Sequence, residues 1–210
     1  MNRREVLKGL GLSVGALVVT PTALSLLQSC AKEQKISWTP KFFTVEEVPL
    51  LNTIVDIMLP KTEDSPSATE VNVPQFIDRY VAEVFEEKDQ KLYRKGVETI
   101  VNIFKGTKES INFFDVKESE VEAEMAKILK KSKQEHEDIM ESFFLAVKNE
   151  KDIDSDVLSY VTLDGIRNLS IFAYKNTERV GEEILNYDPV PGKQEGCIDI
   201  DMSSTKAYSL

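Results

Sequence analysis

Apolar residues recur every three or four positions along most of the chain, a spacing that places them on one face of an α-helix. The clearest example lies between Thr44 and Pro60. Its apolar positions are Leu50, Leu51, Ile54, Val55, Met58 and Leu59. Because Thr44 and Glu47 have the spacing of a capping box and proline cannot continue a helix, we predict a helix that starts at Thr44 and ends before Pro60.

The same spacing predicts five or six further helices, and no segment alternates as a half-buried strand would. We place these helices near residues 73–85, 88–104, 121–131, 136–147, 155–173 and 180–185. Asp115 or Ser119 is expected to cap the fourth helix, and Asp154 or Ser155 the long sixth one. In the helix after His136, the expected core face consists of Ile139, Met140, Phe143, Phe144 and Val147.

These helices predict an all-α protein with a single-domain bundle of about six or seven helices and short connections. The bundle is followed by an extended C-terminal tail that contains Pro and Gly. We divide the chain into a signal peptide at residues 1–29, a tether at 30–43, the helical domain at 44–198 and a C-terminal tail at 199–210. The sequence shows no internal repeat and no second domain.

The first residues have the anatomy of an export signal, with a short basic head and then an uncharged run from Gly9 to Leu27. The head contains Arg3, Arg4, Leu7 and Lys8, which resembles a twin-arginine signal. That pathway moves proteins that have already folded in the cytoplasm.

Cys30 follows a sequence that is similar to a bacterial lipobox, Leu26-Leu27-Gln28-Ser29, in which Gln28 is an imperfect member. We therefore expect cleavage before Cys30 and lipidation of its thiol. An uncleaved membrane helix is the main alternative, because 19 uncharged residues are close to the length that spans a bilayer. Other processing is a third possibility.

Removal of the first 29 residues leaves 181 residues with 23 basic and 35 acidic side chains, a net charge of −12. This acidic balance argues against binding to nucleic acid and against electrostatic binding to anionic membranes. Lipidation of Cys30 would leave Cys197 without a partner inside the chain. Cys197 is then either a buried free thiol or bonded to another chain.

Residues for redox or hydrolytic chemistry are scarce, since the chain has one histidine and two cysteines. His136 lies in a highly charged stretch, which favours an exposed residue near a helix start over a general base. Asp56, Asp78 and Asp164 have apolar neighbours in the sequence. One interpretation is that each bonds a backbone end or an arginine such as Arg79 or Arg167. The other is that two of them act as a pair in acid and base catalysis. We predict no catalytic, cofactor-binding or metal-binding residue in this chain.

Two groups of motifs resemble the gluconate 2-dehydrogenase subunit 3 family. The first group is Thr44–Glu47, Thr53–Pro60 and Val71–Asp78. The second is Tyr174–Leu185, Asn186–Gly192 and Glu195-Gly196-Cys197. The resemblance covers about residues 42–198 and is strongest at both ends. It implies a non-catalytic small subunit of a membrane-associated dehydrogenase.

The resemblance further implies a large partner subunit that contains FAD, is of the glucose–methanol–choline type and oxidises a sugar or sugar acid. A c-type cytochrome is a further partner in many such complexes. The small subunit carries the export signal for the folded, flavin-loaded partner, which accounts for the twin arginines. With lipidation at Cys30, the complex would be anchored on the periplasmic side of the cell envelope.

We expect contacts with the large subunit at apolar positions that the core does not use, namely Trp38, Phe42, Phe43, Tyr187, Pro189, Pro191 and Cys197. Cys197 is also the candidate for a disulfide between subunits. A stand-alone envelope lipoprotein that binds a ligand or another protein is the main alternative. An enzyme that uses Asp56 and Asp164 is a third interpretation.

Overall fold

The structure is a computed structural model that describes residues 36–106 and 111–187. Several of the predicted functional residues lie outside these ranges. They are Arg3, Arg4, Leu7, Lys8, Cys30, Pro189, Pro191 and Cys197. The described residues belong to one compact unit.

Within the described ranges the chain forms six α-helices and no strand. They are α1 (Val48–Met58), α2 (Val73–Val84), α3 (Glu87–Lys105), α4 (Glu118–Leu129), α5 (Lys133–Lys148) and α6 (Ser155–Lys175). Two short 3-10 turns, Thr69–Val71 and Phe113–Asp115, and a π-helix, Arg179–Ile184, complete the described elements. The prediction of an all-α, single-domain bundle is confirmed.

Helix α6 is the centre of the bundle, because each of the other five helices packs against it. Its buried side chains include Leu163 and Ile166, which join the core formed by Leu51, Ile54 and Val55 of α1. The long apolar face of α6 therefore supplies a common surface on which the shorter helices bury their own apolar faces.

A glycine allows the close approach of α3 to α6. A Cβ atom added to Gly96 of α3 would lie 1.9 Å from Oγ1 of Thr162 and 3.0 Å from its Cβ. Thr162 is itself buried, and its hydroxyl donates to the carbonyl of Leu158 at 2.8 Å. The two helices can thus pack in this way only if position 96 has no side chain.

The predicted helix starts were right in some places and wrong in others. Asp154 caps α6 as expected by accepting from the amides of Asp156 and Val157. Neither Asp115 nor Ser119 caps α4; Asp115 instead accepts from the Asn112 side chain. A full capping box that the sequence analysis missed joins Ser132 and Glu135 at the start of α5, and these hydrogen bonds lower the pKa of Glu135.

The first helix begins at Val48, four residues after the predicted start at Thr44. Half of the expected capping box is present, since the amide of Thr44 donates to Glu47 at 2.9 Å. The other half is missing, because the amides of Glu47 and Val48 donate to the carbonyl of Thr44 and not to its hydroxyl. Residues 44–47 therefore form a turn that leads into α1.

The described part of the predicted tether, residues 36–43, packs against the helices. Phe43 is only 5% exposed and belongs to the core, while Trp38 and Phe42 pack against it. The amides of Lys41, Phe42 and Phe43 donate to the carboxylate of Asp78 at 2.7, 2.9 and 2.9 Å. The expectation that Phe43 is free to contact a partner is therefore wrong, because this buried carboxylate fixes the segment on α2.

Candidate partner-binding surface

The three acids with apolar neighbours all have structural partners. Asp56 accepts from the amide and the hydroxyl of Thr69 at 2.9 and 2.6 Å. Asp164 accepts from Arg167 and, at 3.0 Å, from Asn168. Asp78 accepts from three backbone amides. The interpretation that these three acids bond a backbone end or an arginine is therefore confirmed. No two of these acids form a pair for acid and base catalysis in the described contacts.

His136 is half-buried, so the prediction of a solvent-exposed side chain is wrong. It lies in the first turn of α5, as expected, and its Nδ1 is 2.7 Å from the hydroxyl of Tyr160 on α6. Burial, and then the negative charge of Asp164, raise the pKa of Tyr160. This hydrogen bond joins α5 to α6, which is a structural role for the histidine.

Tyr160→Phe should reduce the free energy of unfolding by about 1 kcal/mol, because it removes the only described partner of a half-buried histidine nitrogen. Urea unfolding followed by circular dichroism measures this change. An unchanged free energy of unfolding would contradict this structural role of the pair.

Helix α5 is the least buried part of the described bundle. None of its residues is buried. Three of its large apolar side chains are highly exposed: Phe144 is 61% exposed, Leu145 50% and Val147 45%. The expected core face was therefore only partly right, since Phe144 and Val147 are exposed and Phe143 is half-buried. We call Phe144, Leu145 and Val147 the α5 face. Exposed apolar side chains grouped in this way are typical of protein–protein contacts.

A second apolar surface lies between α2 and the C-terminal end of α6. It is a groove of about 460 Å³, which we call the α2–α6 groove. Its lining includes Val71, Phe76, Tyr80, Val84, Ala173 and Thr177. Phe76 stacks on Tyr80 with ring centroids 5.4 Å apart, and Phe172 lies 5.9 Å from Phe76 at the rim.

Four of the predicted partner contacts lie in the described ranges: Phe43 in the core, Phe42 packed against it, and Tyr187 and Trp38. Tyr187 is 51% exposed and lines a small cavity of about 140 Å³ together with Asn176 and Thr177. Trp38 is half-buried against the core and keeps part of its surface open. Neither observation tests whether a partner binds there, so both contacts stay predictions.

The described residues contain neither a cluster of metal ligands nor a helix that could span a membrane. No group of three His, Cys, Asp or Glu side chains in residues 36–106 and 111–187 converges as metal ligands would. In the same part of the chain, no helix has both the length and the apolar character needed to cross a bilayer.

Comparison with known proteins identifies one family. The model of the family described as gluconate 2-dehydrogenase subunit 3 matches residues 45–192, which include all six α-helices. No curated protein and no solved structure matches the chain significantly. Since the match covers more than half of the chain, the protein belongs to the gluconate 2-dehydrogenase subunit 3 family.

Proposed function

We propose that this chain is the non-catalytic accessory subunit of an FAD-dependent sugar or sugar-acid dehydrogenase of the glucose–methanol–choline type. The family match over residues 45–192 carries the proposal, because the family is described as a subunit of gluconate 2-dehydrogenase. The structural roles of Asp56, Asp78 and Asp164 support it, since these acids are already engaged within the chain. In this proposal the flavin belongs to the partner.

The proposed action is export and anchoring of the flavoprotein. A flavin is inserted during folding in the cytoplasm, so the loaded enzyme has to cross the membrane folded. The twin-arginine signal with Arg3, Arg4, Leu7 and Lys8 would carry both chains, since that pathway accepts folded cargo. Lipidation of Cys30 would then hold the complex on the periplasmic side of the membrane, where a c-type cytochrome is a further candidate partner.

The α5 face is the described surface that we assign to the flavoprotein. Phe144 and Leu145 are half or more exposed on a helix that packs mainly against α6, so a partner can cover them without disturbing the core. A stable interface buries roughly 1,600 Å² in total. Tyr187, Trp38 and the tail residues Pro189, Pro191 and Cys197 are the proposed additional contacts, and Cys197 is the proposed site of a disulfide between subunits.

The test is a double substitution, Arg3→Lys with Arg4→Lys, in the organism that makes the protein. Both this chain and the flavin-containing dehydrogenase should remain in the cytoplasmic fraction, because neither has another signal in the proposed scheme. Immunoblots of cell fractions and dye-linked dehydrogenase activity measure the two chains separately. If the dehydrogenase still reaches the envelope in full, the chain is a stand-alone lipoprotein and the proposal fails.

Cys30→Ala is the matched control, because it leaves the arginines intact and removes only the proposed lipid. Export of both chains should continue, and both should move from the membrane fraction to the soluble periplasmic fraction. Retention of the variant in the detergent phase would contradict lipid anchoring. It would not affect the proposed role in export.

A further inference from the structure

Helix α5 is attached to the bundle outside its main core. It packs mainly against α6, and none of its residues belongs to the core cluster or packs against that cluster. Tyr160, which bonds His136 of α5, and Leu158, which lines a cavity with Ala146 of α5, are buried but also lie outside the core cluster. The contact between α5 and the start of α6 is therefore a satellite cluster, and the core does not depend on it.

One side-chain hydrogen bond among the described residues joins α5 to another helix. It is the bond between His136 Nδ1 and the hydroxyl of Tyr160, and it lies in the first turn of α5. The ion pair of Lys133 with Glu137 joins two residues of α5 itself. Within the described part of the chain, the C-terminal half of α5 therefore has no polar side-chain bond to the rest of the bundle.

The packing beneath the C-terminal end of α5 is incomplete. A cavity of about 260 Å³ lies between this end, α3 and the start of α6. Its apolar lining includes Leu92 of α3, Ala146 and Val147 of α5, and Leu158 of α6. Closely packed side chains normally leave few voids larger than a water molecule, so this end of α5 lacks contacts that would hold it on the bundle.

The loop after α5 holds one residue in an unfavourable backbone conformation. Glu150 has a φ of 52°, in the left-handed region that glycine adopts without strain. The amide of Glu150 donates to the carbonyl of Val147, and the amide of Lys151 donates to the carbonyl of Ala146. These two bonds form a Schellman motif, in which glycine is usual at the left-handed position. Because a Cβ atom is disfavoured there, release of the loop relieves strain.

We propose that the C-terminal half of α5 detaches from α6 together with the loop at residues 149–153, while the rest of the described bundle stays folded. The bond between His136 and Tyr160 holds the first turn, so the helix moves about this end. The α5 face lies on the half that opens, which makes the surface assigned to the flavoprotein an adjustable one. The opening is a property of the free chain and does not depend on the identity of the partner.

Residue-resolved amide hydrogen exchange, measured by NMR on the purified mature chain, tests the proposal. Relative to their intrinsic rates, amides 143–149 should exchange at least about 100-fold faster than the α6 amides around Leu163 and Ile166. They should share one opening constant, because detachment exposes them together, and low urea concentrations should hardly change it. Equal protection in the two helices overturns the proposal. Protection that rises steadily from residue 149 inward, as in simple fraying of a helix end, also overturns it.

Glu150→Gly tests the role of the loop in the same measurement. Glycine adopts the left-handed conformation without strain, so the closed state is favoured and exchange of amides 143–149 should slow about fivefold. Asn72→Gly is the matched control, because Asn72 is the other described non-glycine residue with a positive φ, 61°, and lies immediately before α2. It should leave exchange in α5 unchanged. Unchanged rates in Glu150→Gly, or equal slowing of α5 in both variants, would contradict the proposal.

Discussion

Asp78→Ala should lower the free energy of unfolding by about 4 kcal/mol, the largest effect that we expect from one substitution. The carboxylate is fully buried and accepts from three successive amides, those of Lys41, Phe42 and Phe43. Each buried donor left without an acceptor costs about 1–3 kcal/mol, although neighbouring losses are not additive. Urea unfolding followed by circular dichroism measures the change.

The fluorescence of Trp38 gives an independent readout of the same substitution. It is the only tryptophan in the chain and lies on the segment that Asp78 holds. If the segment detaches, its emission should shift to longer wavelength at urea concentrations that leave the helical signal intact. Asp64→Ala, in an exposed loop, is the control and should change stability by less than about 0.5 kcal/mol. A loss below about 1 kcal/mol in Asp78→Ala would contradict the assigned role.

Gly96→Ala should destabilise the bundle by about 2 kcal/mol, even though alanine is the better helix former. The new Cβ atom would lie 1.9 Å from Oγ1 of Thr162, so α3 and α6 would have to move apart. Such overpacking typically costs about 1–3 kcal/mol, whereas the change from glycine to alanine inside a helix contributes up to about 1 kcal/mol in the opposite direction. Thermal and urea unfolding both measure the net effect.

Gly165→Ala is the matched control, because Gly165 also lies inside a helix. Its added Cβ would be 3.9 Å from the ring of Tyr93, an ordinary contact, so this variant should be as stable as the parent or up to about 1 kcal/mol more stable. Combining Gly96→Ala with Thr162→Ala removes the clashing hydroxyl and should recover much of the lost stability. Equal effects at the two glycines would show that close packing at Gly96 is unimportant.

Most helices could be predicted from the sequence because the apolar spacing that defines a helix is local. The third helix, expected at residues 88–104, is Glu87–Lys105, and the long helix expected from Asp154 or Ser155 begins at Ser155. The segment 36–43 could not be predicted in this way. It has no repeat of apolar positions at helical spacing, and it is ordered by a carboxylate 35 to 37 residues away in the chain.

The candidate surfaces were harder to predict than the helices. In α5, periodicity identifies Phe143 and Phe144 equally as apolar positions, but only contact with α6 decides that Phe143 is half-buried and Phe144 is exposed. The pairing of His136 with Tyr160 depends on the same helix contact. The Ser132–Glu135 capping box, by contrast, has the local Ser-x-x-Glu spacing that predicts a helix start from sequence alone.

The central position of α6 also determines when the protein can fold during its synthesis. Helix α6 is the last of the six α-helices to leave the ribosome, and α1 to α5 all pack against it. Although α1 also packs against α2 and α4, the surfaces that the first five helices bury on α6 stay uncovered until residue 175 has emerged. The bundle cannot close before α6 has been synthesised, and a general chaperone has time to bind the earlier helices.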